Sequence, residues 1–122
     1  MEAKSISEMT AEEINREIAE RRGWVYDCYG WFDCTVNGRS ILEGHDSPPD
    51  YREWQHAGPL LEELVKAKWV ALEYQGPKRW AMNEFAYDDG GPPDFWPIGA
   101  DTIATGAIAR AWLAWDRGKD DA

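Results

Sequence analysis

Residues 69–87 read WVALEYQ (69–75), GPK (76–78) and RWAMNEFAY (79–87). The outer runs have the length and composition of strands, and Gly76-Pro77-Lys78 has the composition of a turn. Two strands joined this tightly are antiparallel neighbours. Upstream, Leu60, Leu61, Leu64 and Val65 form an apolar helical face. That helix begins between Arg52 and Pro59, and a start near Gly58 keeps the proline in the first turn. Residues 43–50 (EGHDSPPD) are loop by composition, and so are residues 88–100 (DDGGPPDFWPIGA). A last helix is expected from about 101 to 116, with Ala104, Ile108, Ala111, Trp112 and Trp115 as its stripe and Gly118 as its stop.

The first half repeats the arrangement. Thr10-Ala11-Glu12-Glu13 is a capping box, and Ala11, Ile14, Ile18 and Ala19 line one face of a helix over 10–22 that ends at Gly23. From Trp24 the period becomes two, with Trp24, Tyr26, Cys28, Phe32, Cys34 and Val36 on one parity. Strands are expected near 24–28 and 31–36, with 39–42 a further candidate and Tyr29-Gly30 and Asn37-Gly38 as competing turns. The order α-β-β-α-β-β-α predicts a single α+β domain over residues 10–118, an antiparallel sheet with helices packed on it. Residues 1–9 are read as a frayed segment and 119–122 as a tail.

Composition narrows the function. The 122 residues carry 23 acidic and 13 basic side chains, a net charge of -10, with 8 Trp, 5 Tyr and 3 Phe. So many aromatics exclude a disordered acidic chain, and the charge argues against direct nucleic-acid binding. Two cysteines make no disulfide framework. No signal peptide or apolar run of membrane-spanning length is read, so a cytoplasmic protein with no membrane partner is expected.

The charge is localised. Residues 43–63 hold six acids against Arg52, and residues 80–109 hold five acids and no base, whereas 64–79 hold four bases against Glu73. Two readings stand. The acidic loops keep a Trp-rich chain soluble and favour helix N-termini, or they join as a negative surface for a basic partner. The second reading nominates Asp46, Asp50, Tyr51, Glu53, Trp54, Asp88, Asp89, Asp94, Phe95 and Trp96, acids with aromatic anchors beside them. The aromatics among them also read as pins of their loops.

Catalytic and metal chemistry finds little support in the pattern. Cys28, Cys34, His45 and His56 are zinc-ligand types, but their spacing matches no compact ligand knuckle. Cysteines on a buried strand parity read as core. Asp88-Asp89 before Gly90-Gly91 reads as a turn, and no glycine-rich phosphate loop joins a strand to a helix. The chain is read as non-enzymatic, with no cofactor.

Three stretches carry a resemblance: Thr10-Ala11-Glu12-Glu13-Ile14-Asn15 with Ile18-Ala19-Glu20 and Gly23-Trp24; Pro49-Asp50-Tyr51 ahead of Leu60-Leu61-Glu62-Glu63-Leu64; and Ala100-Asp101-Thr102 leading to Ala107-Ile108-Ala109-Arg110-Ala111-Trp112-Leu113. In this order they resemble the phage ABA sandwich domain, although Gly58-Pro59 departs from the smoother middle helix of that pattern. The resemblance implies a helix–sheet–helix sandwich and a phage or prophage origin, and supplies no catalytic residues. With the acidic segments it points to a protein acting on a basic surface of a host protein, an anti-CRISPR or other anti-defence inhibitor. The alternative is a virion structural or assembly accessory.

Overall fold

A computed structural model describes residues 4–27, 30–33, 47–87 and 90–120. A single 3-10 turn (Ile6–Glu8) leads into α1 (Ala11–Arg21); β1 (Trp24–Asp27) and β2 (Gly30–Asp33) follow, then α2 (Trp54–Ala67), β3 (Val70–Gly76), β4 (Arg79–Ala86), β5 (Asp94–Asp101) and α3 (Ala104–Asp120). The strands form two antiparallel sheets, β1-β2 and β3-β4-β5. The α+β class is as the sequence predicts. The 39–42 strand candidate and Asn37-Gly38 lie outside the described residues.

Helix α1 follows its sequence signals. Thr10 Oγ1 accepts from the Glu13 N–H at 3.2 Å, and Glu13 Oε1 accepts from the Thr10 N–H at 2.9 Å. Ile14, Ile18 and Ala19 are buried, and Gly23 takes the left-handed conformation (φ 95°) that suits glycine just past a helix. Residues 4–9 are not frayed. Met9 is buried, and α3 holds the segment through Arg110 Nη1 to the Ile6 carbonyl (2.6 Å) and Arg117 Nη1 to the Lys4 carbonyl (2.8 Å).

The β1–β2 hairpin pairs Tyr26 with Trp31 and Asp27 with Gly30. A Tyr29-Gly30 turn would have paired Cys28 with Trp31. The paired rings of Tyr26 and Trp31 lie 5.4 Å apart on one face of the hairpin, with Trp31 4% and Tyr26 66% exposed. The expected buried parity, which contained Tyr26 and omitted Trp31, does not hold.

Three other boundaries depart from the sequence reading. Helix α2 starts at Trp54, so Pro59 lies inside it. An interior proline costs roughly 3 kcal/mol, which is offset by burying Leu60 and Leu64 completely, about 1.5–3 kcal/mol for each leucine. Val65, expected on the apolar face, is exposed. Residues 94–100, expected as loop, form β5 together with Asp101, expected as the start of the last helix. Among the described residues it is an edge strand, where a proline is tolerated, and Pro97 sits beside the irregularity opposite Met82/Asn83. Because β5 extends to Asp101, α3 starts at Ala104. It also continues through Gly118 to Asp120, where Arg21 Nη2 binds the Asp120 carboxylate at 2.8 Å and Lys119 lies 3.8 Å from the Trp115 ring centroid.

Helix α3 is buried on nearly every side, from Thr105 to Ala109 and again from Ala111 to Leu113. One side meets the sheet at Gly99, where a Cβ would stand 2.4 Å from the Ala111 nitrogen and 2.7 Å from the Ala107 carbonyl oxygen. Elsewhere it meets the other helices. Trp112 Nε1 donates to Glu63 of α2 at 3.4 Å, and the Arg22 guanidinium lies 5.6 Å from the Trp112 ring and pairs with Glu63. Glu17 accepts from Arg117 (2.5 and 2.7 Å) and Arg21 (2.9 Å), and Arg21 also reaches Asp116 at 3.1 Å.

Two outcomes are expected. Gly99→Ala forces α3 off the sheet and destabilises by about 2–4 kcal/mol in urea unfolding. The second concerns pH. Arg117's hydrogen bond holds the Glu17 carboxyl below its ordinary range; burial opposes ionisation of Asp101, but the Arg110 hydrogen bond and Thr102 N–H outweigh it and lower that carboxyl too. Both groups are deprotonated more readily folded than unfolded. Their stabilisation is therefore full above the ordinary carboxylate range and is lost as pH falls through the depressed values. Glu17→Gln should cost about 1–2 kcal/mol at neutral pH and flatten the acid limb of thermal stability against pH.

Candidate partner-binding site

The described acids and aromatics of the sequence reading fall into two groups. The first lies before and at the start of α2. Asp50 and Glu53 are exposed and line a cleft of about 590 Å³ with Trp24, Pro48, Pro49 and His56. Asp50 Oδ1 accepts from the Arg52 N–H (3.0 Å) and Asn15 Nδ2 (3.2 Å), which fixes the turn into the helix. Glu53 Oε1 lies 3.8 Å from His56 Nε2. Trp54, the first residue of α2, is 59% exposed. Tyr51 lines the floor of this cleft but offers little surface to a partner. It is 4% exposed within the core cluster, and its N–H donates to Asn15 Oδ1 at 3.0 Å. Its position between Asp50 and Arg52 gave no hint of this; the Asn15 clamp from α1 turns it inward.

The second group lies at the other end of the sheet. β4 alternates, so Met82, opposite Gly99, faces α3, and Phe85 faces away from it. Phe85 pairs with Phe95 across the strands, their rings 5.4 Å apart. Trp69 and Tyr87 complete the cluster, 5.7 and 5.9 Å from Phe85 and 5.3 Å from each other. Trp69, Tyr87 and Phe95 are each about 60% exposed. Asp94 is exposed beside Phe95, and Trp96, 39% exposed, sits opposite Glu84. Trp69, Phe85 and Tyr87 were read only as strand residues. Ala81 and Asn83, on the same parity as Phe85 and Tyr87, are buried, so no alternation in the sequence marks the cluster.

The two groups are not adjacent. Thr105 Oγ1 donates to the Arg52 carbonyl at 2.6 Å, which places the turn before α2 at the Asp101 end of the sheet. Asp94 is at the opposite end of β5, roughly 23 Å away along the strand. Asp46, Asp88 and Asp89 lie outside the described residues, as do Cys28, Cys34 and His45 of the zinc candidates. Among the described residues no group of three or more His, Cys, Asp or Glu side chains is placed to hold a metal, and no helix is long and apolar enough to cross a membrane.

Chemically, the second group suits a basic partner. Exposed aromatic rings offer their faces to guanidinium or ammonium groups, and Asp94 supplies charge at the rim. No family model, curated protein or solved structure matches the chain.

The burial pattern separates core from surface aromatics. Tyr51→Ala should cost about 3–5 kcal/mol in chemical unfolding. Trp54→Ala and Phe95→Ala should each stay within about 1 kcal/mol of the parent.

Proposed function

We propose that this chain is a non-enzymatic binding protein whose acid-flanked aromatic patch docks on a basic surface of another protein. The observation that carries this reading is the Trp69–Phe85–Tyr87–Phe95 cluster, exposed at one end of the sheet with Asp94 at its rim. A soluble chain gains nothing in stability from leaving three large rings in water, and such clusters mark contact surfaces. The cleft with Asp50 and Glu53, at the other end of the sheet, is lined also by Arg22, which pairs with Glu63, and offers a second anchor for a lysine or arginine. A partner that engages both must span roughly 20 Å.

The resemblance to the phage ABA sandwich domain supplies the biological form of the proposal. The protein comes from a phage or prophage, acts in the bacterial cytoplasm and occupies a host surface that normally meets nucleic-acid phosphates, as an anti-CRISPR or other anti-defence inhibitor. The exposed aromatic face also favours a second reading, a virion structural or assembly accessory, in which rings matter more than charge. The protein would then be found stoichiometrically in purified particles.

The test is affinity capture from host lysate followed by binding kinetics on the purified partner. Asp94→Lys should slow association, and raised salt should weaken the complex. Trp69→Ala with Phe95→Ala should speed dissociation by about tenfold or more. A complex whose rates ignore charge, salt and both rings overturns the proposal.

A further inference from the structure

The cleft along the outer edge of β5 carries charge of the opposite sign to the chain as a whole. Its volume is about 810 Å³. One wall is β5 itself, from Ile98 to Asp101, and the other is the N-terminal segment Ser5–Ser7. Arg110 ties the two walls together, donating from Nε to Asp101 (2.8 Å) and from Nη1 to the Ile6 carbonyl (2.6 Å). Lys78 from the β3–β4 turn and Arg79, the first residue of β4, close one end. Both are exposed and make no ion pair with the described residues; Arg79 Nε donates to the neutral amide of Gln75 at 2.7 Å. Among the described lining residues Asp101 is the single carboxylate, and Arg110 neutralises it.

The second observation is the backbone. β5 is the last strand of its sheet among the described residues, so its outer edge is unpaired there. Gly99 has no side chain, so it lines the cleft with its main chain. An unpaired edge beside a groove takes an extended peptide as an added strand, with hydrogen bonds from the main chain and selectivity from flanking side chains. We propose that this cleft binds an extended segment of a partner protein by strand addition to β5, with an acidic side chain of that segment held by Lys78 and Arg79. Charge complementarity selects the occupant, because a basic strand would meet both uncompensated cations. The site asks for the opposite chemistry from the aromatic patch and lies at the other end of the sheet. Its failure therefore leaves the function proposed above untouched, and the reverse also holds.

The probe is a short synthetic peptide alternating valine and aspartate, titrated to millimolar concentration into the isotopically labelled full chain and followed by amide NMR shifts. Saturable shifts are expected at Gly99 and Ala100. Lys78→Glu with Arg79→Glu should weaken binding by about tenfold or more, and both positions are on the surface, so unchanged shifts elsewhere will report an intact fold. A peptide with lysine in place of aspartate should bind far more weakly. Methylating the backbone nitrogens of the peptide should abolish binding. Absence of shifts on β5, equal binding of the lysine peptide, equal binding of the N-methylated peptide, or the same shifts produced by inorganic phosphate alone would each overturn the proposal.

Discussion

The fold depends on the close passage of α3 over β5 at Gly99. Backbone meets backbone there: Ala107 and Ala111 of the helix lie where the side chain of any other residue would begin. A helix that sits this low on its sheet can be covered on its remaining sides as well. That is why α3 is buried from Thr105 to Ala109 and again from Ala111 to Leu113, although its sequence reads as a stripe. The layers follow as sheet, α3, then α1 and α2 together. The outer helices are fixed by a hydrophobic cluster that includes Ile18, Leu60, Leu64, Ile108 and Leu113. The Arg22–Glu63–Trp112 contact joins α2 and α3 to the residue that caps α1.

This layering also sets where charge can go. The face that α3 buries leaves the helix termini and the sheet ends free, and the exposed aromatic and charged clusters sit at those ends. Trp69, Phe85, Tyr87 and Phe95 gather where β3 begins, β4 ends and β5 begins. Lys78 and Arg79 occupy the opposite end with Asp101 and Arg110. The aromatic cluster and the cationic cleft thus lie at opposite ends of the strands, with the Asp50/Glu53 cleft at the same end as the cations, beneath a net charge of -10. Bulk charge would have steered any nucleic acid or acidic partner away from the whole surface. The local distribution instead gives each cluster its own preference.

Much of the architecture was legible because the signals were local. The Thr10/Glu13 capping box, the glycine stop at Gly23 and the β3–β4 turn each depend on residues a few positions apart. Reading failed where distant burial overrode a local signal. Pro97 and the glycines of 88–100 read as loop, yet edge position made Pro97 acceptable in β5. Pro59 read as a helix start, yet Leu60 and Leu64 carried the helix through it. Gly118 read as a stop, yet ion pairs to Asp116 and Asp120 from Arg21 held the last turn. The candidate site divided in the same way. Exposed Trp54, Phe95 and Trp96 were nominated from their acidic neighbours. Tyr51, nominated with them, went into the core, and Trp69 and Tyr87 escaped notice because an isolated strand does not reveal which face is covered.

By itself the sequence determined the class of the fold, the helix and hairpin order, and the concentration of acids in 43–63 and 80–109. Those properties follow from periodicity and composition, which act within a turn or a strand. Only the tertiary structure decided that the described members of the two acidic groups lie at opposite ends of the sheet. It also decided that a cationic cleft opens beside β5 and that the exposed rings form one cluster. Each of these depends on which strand edges and faces α3 covers, and that is set by a contact between Gly99 and residues 8 to 12 positions further along the chain.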